Sequence, residues 1–188
     1  DNSERYEQNL LKEYLAYRIL NTLTDISYRV RLARVTYVDS ELKDKDRVRY
    51  AFFIEHKSRL SNRLGLAGIS TSGIKVADLE GPYSDLTSLF QFMIGNTDFS
   101  PVAGAKGEDC CHNSTLFGNE GASIFAIPYD FDMSGLVDAP YAEPNPRFRI
   151  KRVTQRLYRG RCDYSDNLKT SIQLFQDNRD AIYGLIDE

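Results

Sequence analysis

Three short stretches decide how this chain is interpreted: Ile94-Gly95-Asn96-Thr97-Asp98, then His112-Asn113, then Ile127-Pro128-Tyr129-Asp130-Phe131-Asp132. Their acidic and amide side chains follow strongly apolar segments, where a rigid scaffold can present them on loops. Carboxylate and amide oxygens are the ligands that magnesium prefers. The segment from Gly95 to Asp138 is therefore predicted to be a polar, acidic site of the metal-and-phosphate type.

The order of these residues points to one reaction. Phosphoryl transfer needs a carboxylate beside the attacking hydroxyl, oxygen ligands for magnesium and a cradle for the phosphates. Protein kinases use an Asp, then an Asn, then a hairpin, then an Asp. In that scheme Asp98 would orient or deprotonate the acceptor hydroxyl, and Asn113 and Asp130 would hold the metal.

The same motifs resemble the catalytic core of the spore coat protein H (CotH) kinase family and, more distantly, HipA-type kinases. The close resemblance covers about 45 residues around these motifs. It implies that Asp98 is the catalytic Asp, that Asn113 and Asp130 bind metal, and that Asp132 is a second acid beside them. The implied cofactors are Mg²⁺ or Mn²⁺, with ATP as phosphate donor and a protein or small-molecule hydroxyl as acceptor.

The resemblance also implies a fold, an α+β domain of protein-kinase-like type made mainly of the large lobe. Residues 1–56, a helix plus a two-stranded hairpin, would be a remnant of the small lobe, and residues 57–188 the helical large lobe. Glu13 (or Glu7) would correspond to the helix Glu that pairs with a phosphate-binding lysine. The segment Phe52 to His56, which includes Glu55, would be the hinge that meets the adenine.

Three departures from the kinase pattern support a rival hypothesis. Fourteen residues separate Asp98 from Asn113 where ordinary kinases have four. No glycine-rich hairpin, no strand lysine and no His-Arg-Asp triplet occurs, and the first two would lie upstream if the chain is a fragment. The alternative function is a catalytically inactive kinase-like binding module.

Calcium provides a further alternative. Asp130, Asp132, Ser134 and Gly135 fit the first half of an EF-hand loop, but position twelve is Tyr141 where a bidentate Glu is needed. A cation-stabilised interaction domain therefore stays open. Asn113 also begins a glycosylation sequon, and sugar there would exclude a metal role.

Histidine and cysteine are scarce, and each suggests a structural role. We expect His112 to be a hydrogen-bonding loop residue rather than a base. A disulfide from Cys162 to Cys110 or Cys111 is one possibility and three free thiols the other. A disulfide would favour an extracytoplasmic or secreted location, which nothing else in the sequence decides.

A basic run from Arg147 to Arg161 is interleaved with apolar residues at spacings of three and four. This spacing predicts a helix from Arg152 onward with one buried face and a C-terminal cap at Gly160. Its arginines would be solvated or ion-paired by default. The sharper hypothesis is that Arg156 or Arg159 binds a phosphate or pairs with an aspartate of the acidic site.

Periodicity predicts the remaining elements: a helix from Ser3 to Leu23, strands Tyr28 to Val38 and Val48 to Glu55, a helix from a Ser84 cap to Gly95, a hairpin with arms Leu116-Phe117 and Ile124 to Pro128, and a last helix from Asn167 to Ile186. Residues 57–82 are predicted to be irregular, with room for one helical turn. The net charge is −3 with interleaved signs, which gives no nucleic-acid footprint. No apolar run is long enough for a membrane span.

Overall fold

The computed structural model describes residues 3–41, 45–104, 107–161 and 167–187, and they form a mixed α+β structure. Eight-residue strands near the N-terminus form one sheet and three shorter strands form another. The elements are α1 (Ser3–Leu23), β1 (Val30–Tyr37), β2 (Arg47–Ile54), α2 (Lys57–Leu64), β3 (Ala67–Ile69), α3 (Gly81–Ile94), β4 (Ser114–Gly118), β5 (Phe125–Pro128), α4 (Leu168–Asp177) and α5 (Arg179–Gly184).

Helix α1 packs on the hairpin that follows it. Strands β1 and β2 pair antiparallel, with Val30 opposite Ile54. The aromatic rings of Tyr14 and Tyr17 lie 5.9 and 5.7 Å from the ring of Phe52, which is the geometry of favourable tilted aromatic pairs. The helix and both strands thus form where the sequence predicts them, within two residues at each end.

The second sheet brings together segments that are distant in sequence. Strand β4 pairs antiparallel with β3 on one side and with β5 on the other. The register places Ser114 opposite Pro128. Asn113 precedes the first of these residues and Tyr129 follows the second. The start of β4 and the end of β5 therefore lie side by side at the same end of the sheet.

Helix α3 connects the core to the first acidic loop. Its N-terminus is capped by Glu80, whose carboxylate accepts from the Tyr83 amide at 2.6 Å. Its C-terminus is Gly95 at φ 69°, a left-handed conformation that glycine adopts without steric cost. The Gly95 carbonyl accepts from the Gly135 amide at 3.1 Å, so the helix end is joined to the loop after β5.

One hydrophobic cluster spans both parts of the predicted division at residue 56. Phe131 is 0% exposed, and the centre of its ring lies 4.6 Å from the ring centre of Tyr17 in α1 and 5.4 Å from that of Phe90 in α3. Leu60 of α2 and Ile127 of β5 belong to the same cluster. The acidic residues on either side of Phe131 are consequently attached to the centre of this core.

Several sequence predictions of local structure were wrong. Residues 57–82, predicted to be irregular with room for one helical turn, contain the eight-residue helix α2 and strand β3. Helix α3 begins three residues before Ser84, with Glu80 as its cap. Residues 152–160 form turns and irregular chain where a helix was predicted, because Arg159 binds loop carbonyls, as described below. The last predicted helix is two helices, α4 and α5, separated at Asn178.

None of the helices in the described ranges has both the length and the apolar character that a membrane span requires.

Candidate functional site

Asp98 lies in the loop after α3 with both carboxylate oxygens in hydrogen bonds. His112 Nε2 lies 2.8 Å from Oδ1, and Asn113 Nδ2 donates to Oδ2 at 3.1 Å and to the Asp98 carbonyl at 2.8 Å. The Asp98 amide donates to Asn96 Oδ1 at 2.8 Å, a local turn that Asn favours. The side chain remains 32% exposed, so an acceptor hydroxyl could reach it.

Asn113 joins the two acidic loops. Its side chain binds Asp98, while its carbonyl accepts from the Tyr129 amide at 3.1 Å, directly before Asp130. It is 8% exposed and has φ 51°, which Asn tolerates better than most residues. A metal could bind this side chain only through its oxygen, because the amide nitrogen is a donor, which here donates to Asp98, and not a metal ligand. The buried, hydrogen-bonded position also leaves little room for sugar on the sequon.

Asp130 has the same unusual backbone conformation, with φ 61°. Its amide donates to the Tyr17 hydroxyl at 2.8 Å, so α1 holds this turn. Burial raises the pKa of Asp130, and the neighbouring charges of Asp132 and Asp98 raise it further, while His112 lowers it. Asn113 and Asp130 thus both have the left-handed backbone conformation that residues other than glycine rarely adopt. Such residues are typical of sites where the surrounding contacts impose the conformation.

Glu13 of α1 is a fourth acid, and it interacts with Asp130 and Asp132. Burial raises its pKa from 4.5 to about 7, and the charges of Asp130 and Asp132 add to the effect, against a hydrogen bond to the Phe131 backbone that lowers it. The Tyr141 hydroxyl donates to Asp132 Oδ2 at 2.9 Å. Burial and this bond raise the pKa of Tyr141 to about 12. The four acids therefore form an acidic group, defined as Glu13, Asp98, Asp130 and Asp132.

The composition of the acidic group suits a hard cation. Burial raises the pKa values of Glu13 and Asp130, repulsion from the neighbouring carboxylates raises them further, and a divalent ion would relieve that repulsion. Within the described residues, however, no three His, Cys, Asp or Glu side chains converge closely enough to hold a metal ion. The residues that fit such an ion by chemistry are Asp130, Asp132 and the Asn113 oxygen.

Glu55, the predicted adenine-side residue, has a structural partner. Arg63 Nε and Nη2 donate to its two oxygens at 3.0 and 2.7 Å, and the Arg29 amide donates at 3.2 Å. Burial raises the pKa of Glu55, but the bonds from Arg63 and Arg29 outweigh it and the net shift is downward. The ion pair ties the end of β2 to α2. The alternative helix acid, Glu7, lies 3.7 Å from Arg49 of β2.

Arg159 returns to the loop that carries Asp98. Its Nη1 donates to the carbonyls of Thr97 and Phe99 at 2.8 and 2.6 Å. Its guanidinium lies between the rings of Phe99 and Phe148, at 4.6 and 4.5 Å. Arg156 Nε donates to the Met93 carbonyl at 2.9 Å. Both predicted arginines therefore bind backbone carbonyls around the site, and Arg159 directly holds the loop that carries Asp98.

The structure joins Cys110 to Cys111, a pairing that the sequence analysis did not consider. Cys162, the other cysteine of the predicted pairing, lies outside the described residues. The pair belongs to a folded loop: the Cys110 amide donates to the Thr71 carbonyl at 2.7 Å and the His112 amide to that of Ala103 at 3.1 Å. The insertion before Asn113 is thus attached to the rest of the fold.

Two residues of the site were missed from sequence. Tyr17 was not singled out within the predicted first helix, and Tyr141 was considered only as the residue that fails the calcium-loop pattern. Both contact the acids through their hydroxyl groups. The sequence feature that they share is that both are tyrosines. Because the chain has twelve tyrosines, this feature does not single them out.

Comparison with known proteins adds no relative, since no family model, curated protein or solved structure matches this chain.

Proposed function

We propose that this chain is the catalytic part of an ATP- and Mg²⁺-dependent phosphotransferase of protein-kinase-like fold. Its acceptor would be a hydroxyl group of a protein or small molecule. The resemblance to the CotH kinase family suggests the reaction, and the geometry around Asn113 supports it.

The single observation that carries the proposal is the bonding of Asn113. Its amide group binds Asp98, and its carbonyl binds the residue before Asp130. Three residues separated in sequence by a long insertion and a hairpin are therefore direct neighbours. A kinase site requires this neighbourhood of catalytic Asp, metal-binding Asn and metal-binding Asp.

In the proposed mechanism Asp98 orients the acceptor hydroxyl and accepts its proton. The bonds from His112 and Asn113 hold the carboxylate in one orientation, and positioning of this kind supplies much of the rate in phosphoryl transfer. Mg²⁺, held by Asp130, Asp132 and the Asn113 oxygen, would neutralise phosphate charge when bound. Glu13 would receive a positive group, because the charged side chains that act on its buried carboxylate, Asp130 and Asp132, are both acidic.

His112 also favours a second candidate, the inactive binding module. Its Nε2 occupies Asp98 Oδ1 while Asn113 occupies Oδ2, so the carboxylate has fewer lone pairs for a hydroxyl. Under this hypothesis nucleotide would bind and no phosphoryl group would be transferred.

Nucleotide binding is the first test. We expect the chain to bind ATP in isothermal titration calorimetry with Mg²⁺ present and at least about tenfold more weakly with EDTA or after Asp130→Asn. The matched control is Asp138→Asn, an exposed residue on the same loop with φ 52°, where the same change should leave affinity unaltered. Wild-type protein that binds ATP equally with Mg²⁺ or EDTA would refute the proposal.

Transfer is the second test, with radiolabelled ATP and casein as a general acceptor. Asp98→Asn is expected to reduce transfer about a hundredfold or more while ATP binding persists, since a general base contributes to the reaction step. Binding without transfer in the wild type would instead select the inactive module. A His112→Ala variant that gains transfer would identify the histidine as the residue that blocks Asp98.

A further inference from the structure

A small cavity lies beside the loop that carries Asp98, between α3 and the β4–β5 hairpin. It has a volume of about 40 Å³ and is lined on one side by Phe99, Pro101 and strand residues. Residues of α3 three and four positions apart form the other side: Ser84, Thr87, Ser88 and Gln91. This spacing gives the helix one polar face toward the cavity.

Gln91 is the unusual residue of that face. It is 1% exposed, and neither its Oε1 nor its Nε2 has a hydrogen-bond partner among the described residues. A buried amide left without partners costs about 1–3 kcal/mol for each unsatisfied group. Such a side chain beside a cavity indicates that something polar binds there.

Positive charge faces the same cavity. Arg159 and Arg161 both line it, and Arg161 lowers the pKa of Arg159 after the larger effect of burial, whereas Asp98 acts in the opposite direction. In the described ranges neither arginine is in an ion pair with a carboxylate. Two neighbouring guanidinium groups that have no carboxylate partner within the described residues favour an anion.

We propose that this cavity binds one small oxyanion of the phosphate or sulfate class. Arg161 and Arg159 would supply charge, the Gln91 Nε2 a donor, and Ser88 and Ser114 hydroxyl donors. The cavity is large enough for a tetrahedral anion, because a single water already fits into about 10–15 Å³ measured in this way. This site is separate from the acidic group and does not depend on phosphoryl transfer.

The anion would affect the loop that carries Asp98. Arg159 contacts the cavity on one side and the Thr97 and Phe99 carbonyls on the other. An anion that neutralises Arg161 and binds Arg159 would keep the latter in place. Occupancy of the cavity is therefore expected to stabilise the loop whether or not the protein is an enzyme.

Equilibrium dialysis with radiolabelled inorganic phosphate tests the proposal on the 188-residue chain. We expect one phosphate per chain, competed by sulfate and not by chloride at equal ionic strength. Arg161→Gln and Gln91→Met should each weaken binding about tenfold or more, since each removes a bond to a charged group. Arg149→Gln, an exposed arginine of the same basic run, is the matched control and should bind as the wild type does.

Thermal unfolding distinguishes a lost site from a misfolded variant. Gln91→Met removes a buried amide without partners, so its melting temperature without phosphate should equal or exceed that of the wild type. Phosphate should raise the melting temperature of the wild type and of Arg149→Gln more than that of the two site variants. No saturable binding, or an equal rise in all four proteins from a general salt effect, would overturn the proposal.

Discussion

Replacing Glu13 with glutamine should remove much of the pH dependence of folding in the weakly acidic range. The pKa of Glu13 is raised from 4.5 to about 7 in the folded protein, mainly by burial and then by Asp130 and Asp132. The folded state therefore holds this proton more tightly than the unfolded state does. The stability that this group contributes is present in full below pH 4.5 and is lost as the pH rises toward 7.

The size of the effect follows from that difference. At 1.36 kcal/mol for each pH unit, the upper bound is about 3 kcal/mol. Because Glu13 titrates together with Asp130 and Asp132, removing its carboxylate also relieves its neighbours, and the measured value belongs to the group. We expect Glu13→Gln to be more stable than the wild type by about 2 kcal/mol at pH 8 and equally stable near pH 4.

Urea denaturation in EDTA buffer from pH 4 to pH 8 measures this difference. The control is Glu4→Gln, an exposed acid in the first turn of the same helix, whose curve should run parallel to that of the wild type. Parallel curves for Glu13→Gln and the wild type across the whole range would show that Glu13 is not buried among acids, and the described acidic group would be incorrect.

Three further predictions concern the contacts that support the site. Tyr17→Phe removes the acceptor of the Asp130 amide and should lower the free energy of unfolding in urea by about 1–2 kcal/mol; an unchanged value would mean that water replaces the hydroxyl. Phe131→Ala, in the centre of the core, should cost about 3–5 kcal/mol in the same assay, and a loss below about 1 kcal/mol would contradict its burial. Arg63→Met leaves Glu55 without its main partner and should cost about 2 kcal/mol at pH 7, a partly exposed pair being worth less than a buried one. Because this pair lowers the pKa of Glu55, its contribution is lost as the pH falls, so below about pH 4 the difference should shrink to what the Arg63 bonds to the Asp25 and Ser27 carbonyls contribute; a difference that is constant with pH would show that the ion pair contributes nothing.

Periodic segments were the part of the fold that sequence could predict. Helix α1, the hairpin β1–β2 and the hairpin β4–β5 all have clear repeats of apolar residues, and each forms near its predicted position. Helix α2 was missed because only Leu60 and Leu64 are apolar in its eight residues, although Gly65 after it is a normal helix end. The apolar spacing after Arg152 suggested a helix, and long-range bonds from Arg159 oppose it.

The candidate site was likewise predictable from sequence only in part. The order Asp98, Asn113, Asp130 predicted that these residues form a site, and their chemical roles stay a prediction. The antiparallel register of β4 and β5 explains why Asn113 lies beside Tyr129. The bonds that fix their orientation come from residues without a distinctive local pattern, such as Tyr17 and His112. Only the folded arrangement of α1 and the inserted loop brings these side chains to the acids, and no local spacing encodes it.

The position of Arg159 determines whether the acidic segment, Gly95 to Asp138, could be moved to another protein scaffold. The loop it holds lies 60 residues earlier in the chain, and the acids of the segment from Gly95 to Asp138 depend as well on Tyr17 of the first helix. Grafting that segment onto another scaffold would transfer the motif without its anchors. A shortened version ending before Arg156 would likewise keep every acid and lose the group that fixes the backbone around Asp98, so the smallest transferable unit extends at least from α1 to Arg159.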